Sequence, residues 1–233
     1  MNIIFVTQND PFYIPLFFEK FYNKYKKTLS RKIKISGVII QDSLGNASKF
    51  ALFKRVIILY GLFGVFYKIV QYLKIYLSSI FHKVGWSNNL QTIKTIHKEN
   101  DIPILKYKSV NTKMFKEFVI REGIDLIVSV AASEIFEGDI LKAVKYGCIN
   151  IHSAPLPKYK GMLPNFWQMY NNESRAYITV HKMEAKLDSG DILYQDFFDI
   201  DPDWALEELF KKSKEKAAEI IINILESYLN KTV

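Results

Sequence analysis

Cysteine is almost absent: Cys148 stands alone in 233 residues. That excludes an intrachain disulfide and a cysteine-built metal cluster. A reducing cytoplasm is the compartment such a count fits. Glycine and proline are sparse as well, ten and seven residues, which excludes a collagen-like or low-complexity chain. No apolar run reaches the roughly 20 residues a membrane-spanning helix needs; Val56 to Tyr67 is uncharged but ends at Lys68. The opening MNIIFVT lacks the basic region and cleavage site of a secretory leader and reads as a first strand. Metal-ligating residues form no cluster, so no metal is expected.

Apolar mass and positive charge are what the chain does have. Hydrophobic residues make up 49% and aromatics 15%, with 17 Phe and 14 Tyr, enough to build a sizeable core and to exclude disorder. Against 24 Asp and Glu stand 32 Lys and Arg, a net charge of +8. Such a field suits nucleic acid, anionic lipid or a phosphorylated small molecule, and equally a lysine-rich surface with no partner at all.

Periodicity places the elements. Ile3–Val6 reads as a strand, 12–29 as a helix with Phe12, Leu16, Phe17, Phe21 and Tyr25 on one face, and Ile33–Ile40 as a second strand. Helices follow at about 89–99, 111–122 and 137–146, with strands at about 102–107, 125–131, 148–152 and 177–183 and a closing amphipathic helix at 203–229. Residues 153–161, carrying Pro155, Pro157 and Gly161, read as a loop. This order predicts one α/β domain over 1–233, Rossmann-like, with a mostly parallel twisted sheet flanked by helices. The apolar segment 50–86, interrupted by Gly61, Gly64, Lys68 and Lys74, stands outside the pattern as a helical insertion. It either packs on the domain or a second subunit, or lies as an amphipathic element on a membrane surface.

Chemistry concentrates after residue 147. Side chains alternate along a strand, so Asn150 and His152 share a face at the strand's end, where parallel α/β sheets bind ligands. A carboxamide and an imidazole there can donate to a developing oxyanion and move protons. Asp188, in the Leu187-Asp-Ser-Gly-Asp191 turn, can supply the carboxylate that sets the imidazole's charge. On spacing alone, the same residues also fit a structural histidine and an ordinary turn.

The run Gly147-Cys-Ile-Asn-Ile-His-Ser-Ala-Pro-Leu-Pro-Lys-Tyr-Lys-Gly161, followed by Thr179-Val-His-Lys-Met-Glu-Ala-Lys-Leu-Asp-Ser-Gly-Asp-Ile-Leu193, resembles the signature of the folate-dependent formyltransferases. Three motifs fall in order: Asn-x-His, Leu-Pro-x-x-Lys-Gly and Leu-Asp-x-Gly. The resemblance implies an enzyme that transfers a formyl group from 10-formyl-tetrahydrofolate to a primary amine, without a metal. It implies Asn150, His152 and Asp188 as catalytic residues. It places the folate against Ser133, Glu134, Ile135, Phe136 and Leu141 on one side and Glu184, Ala185, Lys186 and Leu187 on the other. His181 matches a histidine near the family's site, and a structural place on its strand fits it equally.

The acceptor is narrowed by departures from the relatives. Methionyl-tRNA formyltransferases of this family add a C-terminal domain, and this chain ends after the helix at 203–229, so nucleic acid is not the expected partner. Glycinamide ribonucleotide formyltransferases carry a glycine-rich phosphate loop where this sequence has Thr7-Gln-Asn-Asp-Pro-Phe-Tyr13, without glycine. Sugar-nucleotide N-formyltransferases accommodate both features, and Leu163-Pro-Asn-Phe-Trp167 looks like theirs. A nucleotide-linked amino sugar, of the kind used in surface polysaccharide, is therefore the expected acceptor. Asn9, Tyr13, Tyr159, Lys160 and Trp167 are the candidates to bind it, with Phe12 a further aromatic at the same place. A homodimer through 50–86 or the last helix, and peripheral membrane contact through 50–86, complete the expected partners. A formyl-folate hydrolase and a non-catalytic membrane-associated scaffold are the readings from other classes.

Overall fold

Two strands without a polar interruption at their centres, β1 (Asn2–Gln8) and β4 (Leu126–Val130), lie side by side and parallel in the middle of the sheet. Both faces of such strands must be covered, and the chain supplies a helical layer for each. The computed structural model describes residues 1–42, 49–82 and 92–232. Between and after these strands come α1 (Ile14–Thr28), β2 (Lys34–Gln41), α2 (Lys49–His82), α3 (Ile93–Glu99), β3 (Ile104–Leu105) and α4 (Lys113–Arg121). The second half holds α5 (Gly138–Ala143), β5 (Cys148–His152), α6 (Pro164–Tyr170), β6 (Arg175–Lys182), β7 (Ile192–Asp199) and α7 (Leu206–Asn230). The sheet runs β3-β2-β1-β4-β5-β6-β7, parallel as far as β5 and antiparallel for the last two strands.

Alternation sorts the core. Ile3 and Phe5 of β1 with Leu126, Val128 and Val130 of β4 face α1, α3 and α7, while Ile4, Val6 and Ile127 face α4 and α5. On the first face Phe5 meets Phe18 and Phe21 edge-on, with centroids 5.5 and 5.0 Å apart. Cys148 is buried in the second cluster, and burial pushes its thiol up to about 12. It is a core residue and not a nucleophile.

Several boundaries differ from the sequence-based expectation. The strand expected over 102–107 contracts to two residues; Pro103 has no N–H and contributes only its carbonyl, to Val38 N–H at 2.9 Å. Two elements were not expected. Edge strand β7 is half exposed and carries Asp196 and Asp199, so it lacks an apolar run. Helix α6 is short and held by tertiary bonds: Gln168 donates to Ser153 O at 2.7 Å and accepts from Tyr177 N–H at 3.1 Å, while Asn165 donates to Ser213 Oγ at 2.7 Å. The apolar insertion is helical over 49–82, broken at Gly61 (φ 64°, ψ 174°). Its expected continuation to residue 86, and the start of the next helix at 89, lie outside the described residues.

His97 is enclosed between aromatic rings of α1, 4.5 Å from Phe18 and 5.6 Å from Tyr22, and neither ring nitrogen finds a hydrogen-bond partner among the described residues. Burial drops its pKa from 6.5 to about 4. A histidine depressed on folding is protonated first in the unfolded chain, so stability is lost as pH falls through 6.5 toward 4. Urea unfolding is expected to show about 2 kcal/mol less stability from this source at pH 5 than at pH 7. A His97→Leu variant should lose correspondingly less over the same interval.

Candidate active site

The site forms where the sheet changes direction. Ser129 of β4, Asn150 of β5 and His181 of β6 are register partners, one row across three strands. His152 lies two residues further along the same face, paired with Thr179. Asp188 comes from the turn after β6, in a left-handed backbone (φ 47°). Gly190 lets this turn press on β6: a Cβ there would stand 2.1 Å from the Lys182 carbonyl oxygen. The three expected catalytic residues are thus brought together.

Carbonyl neighbours fix the imidazole tautomers. A carbonyl only accepts, so the His152 nitrogen 2.9 Å from Tyr159 O, Nε2, carries hydrogen. Its Nδ1 is left facing Asp188 Oδ2 at 3.6 Å. Likewise His181 Nδ1–H donates to Lys182 O at 2.7 Å. In the neutral His181 ring, Nε2 accepts from Asn150 Nδ2 at 3.2 Å. When protonated, the same atom faces Asp188 Oδ1 at 3.6 Å as a donor. The carboxylate therefore sits between two rings, and Gly161 N–H donates to Oδ2 at 2.8 Å.

Electrostatics follow from that enclosure. Burial pushes the Asp188 carboxyl up, but hydrogen bonding from His181 and Gly161 and the charges of both histidines outweigh it and hold it below the usual range. Burial holds His152 below the ordinary histidine value; Asp188 and the Tyr159 carbonyl oppose that shift, while His181 and Lys214 of α7 add to it. A neutral imidazole results, with its bare nitrogen aimed at a charged carboxylate. Such a ring is poised to take a proton at Nδ1 and to be stabilised once charged.

Beside this cluster a pocket opens between the loop after β4 and the turn after β6, lined by Glu134, Ile135, Phe136, Asn150, His181, Met183, Glu184, Leu187 and Asp188 among others. Of the expected folate contacts, Glu134, Ile135, Phe136, Glu184 and Leu187 line it. Leu141 instead packs against the core with α4 and α5, and Ala185 and Lys186 are exposed outside the lining. Ser133 and Glu134 also have a holding role. Gln41 Oε1 accepts from Ser133 N–H at 2.9 Å, and Glu134 accepts from Val110 N–H at 2.7 Å, Ser109 Oγ at 2.7 Å and the Gln41 amide. These bonds tie the loop to the end of β2 and to the loop between β3 and α4.

None of the expected acceptor residues lines this pocket. Tyr13 packs on Phe210 with centroids 5.0 Å apart and accepts from Lys68 Nζ at 3.2 Å; Asn9 and Lys160 are exposed. Tyr159 reaches the cluster through its backbone: φ 56° turns its carbonyl to His152, and its hydroxyl donates to Glu173 at 2.7 Å. Trp167 is exposed on α6, edge-on to Phe166 and Tyr170. Sequence reasoning left His181 undecided and missed Lys68 and Lys214; the signal for His181 was its place in the strand alternation, but the antiparallel register that sets it beside Asn150 is not written locally.

Removing the Asp188 charge takes away the main influence raising His152, so in Asp188→Asn the pKa of His152 should fall further below its wild-type value. NMR titration of the histidine rings measures this directly. Gly190→Ala, which forces the turn off β6, should move the His152 titration in the same direction.

Comparison with known proteins gives one family. The formyl transferase profile matches residues 87–225, more than half of the chain. A methionyl-tRNA formyltransferase from Geobacter sulfurreducens is 36% identical over 137 residues, covering 59% of this chain and 43% of that protein. The chain thus spans less than half the length of the curated relatives it matches. Among solved structures, a phosphoribosylglycinamide formyltransferase from Bacillus halodurans superposes with a TM-score of 0.66 at 13% identity, over 100% of this chain and 97% of that one. A sugar 3N-formyl transferase crystallised with dTDP and 5-N-formyl-THF gives 0.58 at 16%, over 99% and 64%. The matched stretch contains the Asn150–His152–Asp188 cluster and both walls of the adjoining pocket, and on that match the chain belongs to the formyl transferase family.

Proposed function

We propose that the protein transfers a formyl group from 10-formyl-tetrahydrofolate to the primary amine of a nucleotide-linked amino sugar. The observation that carries the reaction class is the cluster itself: an amide donor, a neutral imidazole and a buried carboxylate converging beside one pocket. Asn150 Nδ2–H donates to the formyl oxygen as attack by the amine turns it into an oxyanion. His152 Nδ1 takes the proton released when the new C–N bond forms, and Asp188 holds the resulting imidazolium. His152 then returns that proton to the departing folate nitrogen as the old C–N bond breaks, so charge and protons balance. Ile135, Phe136, Met183 and Leu187 supply apolar walls for the pterin, and Glu134 and Glu184 polar edges.

The acceptor reading rests on the loop after β1. Asp10 Oδ1 already accepts from the N–H groups of Phe12 and Tyr13, at 2.7 and 3.3 Å. Both N–H groups precede α1, so the carboxylate closes this glycine-free loop on itself as a tight Asx turn, which counts against a loop that cradles a substrate's phosphate with its backbone, as in a ribonucleotide-binding loop. Phe12, Tyr13 and Phe210 instead offer aromatic surface suited to a sugar or base. Charged initiator tRNA is the second reading, favoured by the identity with methionyl-tRNA formyltransferases.

Asn150→Ala should lower turnover about a hundredfold or more, the scale of losing one oxyanion-hole donor, and His152→Ala about a hundredfold or more, the scale of losing a general acid–base group; near-wild-type rates in either variant would sink the assignment. For the acceptor, release of tetrahydrofolate is followed by absorbance with amino-sugar nucleotides, glycinamide ribonucleotide, charged tRNA and water alone. Turnover restricted to one sugar nucleotide is the expected result. Turnover with tRNA alone selects the second reading, and an equal rate with every amine and with water identifies a hydrolase.

A further inference from the structure

Helix α2 is built inside out. Over residues 61–78 the positions facing the protein include Lys68, Gln71 and Ile75, while Leu62, Phe63, Phe66, Tyr67, Ile69, Tyr72, Leu73, Tyr76 and Leu77 point to solvent. Phe63 is 94% exposed and Leu62 73%. A water-facing helix has the opposite arrangement, and so large a contiguous apolar surface marks an interaction site.

The polar side is not idle. Lys68 pairs with Glu207 of α7, donates to Gln71 Oε1 at 3.3 Å and lies 4.8 Å above the Phe12 ring. These bonds fasten the helix to the loop after β1 and leave its apolar face outward.

Charge identifies the occupant. Between Asp42 and Glu99 the chain has no acidic residue, while Lys49, Lys54, Arg55, Lys68, Lys74, Lys83, Lys94 and Lys98 lie in that interval. A second copy of this chain seated face to face would bring Lys74 against a segment that offers no carboxylate to pair with it. An anionic bilayer offers both hydrocarbon for Leu and Phe and negative headgroups for the lysines, and tyrosines are at home at that boundary. No helix among the described residues is long and apolar enough to cross a membrane. We propose that the outward face of α2 docks the protein on an anionic lipid surface, lying on the bilayer without spanning it.

The test uses the purified full chain and sedimentation with vesicles, in the absence of folate and acceptor, so its failure and a failure of the transfer reaction are read separately. Vesicles of equimolar phosphatidylglycerol and phosphatidylcholine should pellet the protein, with partition at least about tenfold above that on phosphatidylcholine alone and reduced by high salt. The double variant Phe63→Ser/Phe66→Ser should weaken this partition about tenfold or more while its thermal unfolding stays at the wild-type temperature. Lys74→Glu, which leaves the apolar face whole, should weaken it on the anionic vesicles only. Failure to pellet with anionic vesicles, or equal partition on both compositions, overturns the proposal. So does a wild-type dimer in light scattering that the double variant dissociates.

Discussion

A carboxylate nearly closed off from water has to be surrounded by donors, and the position of Asp188 imposes that demand on everything near it. Gly161 N–H meets one oxygen, and that fixes where the loop after β5 must turn. His152 and His181, on neighbouring strands, stand 3.6 Å from its two oxygens and donate to it once protonated; the antiparallel register that sets Asn150 opposite His181 brings both rings within reach. The turn reaches this depth only because Gly190 has no side chain to strike the Lys182 carbonyl. Thr179, two strand positions before His181, is drawn into the same frame: its hydroxyl donates to Ala154 O at 2.6 Å and accepts from Gln195 of β7 at 2.8 Å. Edge strand β7 thereby helps hold the loop that carries Gly161.

Much of the scaffold was legible because its signals are local. The largely apolar runs of β1 and β4, the helical spacing of Phe17, Phe21 and Tyr25 in α1 and the alternation that pairs Asn150 with His152 each lie within a few residues. What could not be read depends on meetings between distant segments. Tyr159 looked like an aromatic for stacking, yet its contribution to the cluster is a carbonyl turned by a left-handed φ. Glu134 looked like a ligand contact, yet its carboxylate is largely engaged with Gln41 at the end of β2 and with Ser109 and Val110 of the loop after β3. Helix α6 has too few residues for periodicity to register, and its stability comes from side-chain bonds of Asn165 and Gln168 to other elements.

The family match and the loop after β1 fall on different parts of the molecule. The matched stretch begins at residue 87 and includes β4, β5, β6 and the Asp188 turn. The loop closed by Asp10 and the apolar helix α2 both precede it. Sequence similarity therefore speaks for the reacting centre and for the stretch that carries Tyr159, Lys160 and Trp167. The fold itself is shared across both parts: the phosphoribosylglycinamide formyltransferase superposes over 100% of this chain.

The connectivity of the sheet has a consequence for how the chain is made. The residues of the reacting centre lie between positions 150 and 188, whereas the central seam of the sheet joins partners 123 residues apart, as in Thr7 Oγ1 to Val130 O. During synthesis, β2 soon follows β1, but the other flank of β1 has no neighbour until β4 has been added. Loop closure across that distance has to precede any gain from the seam. The growing nascent chain thus carries an unpaired strand flank until residues 126–130 have been added.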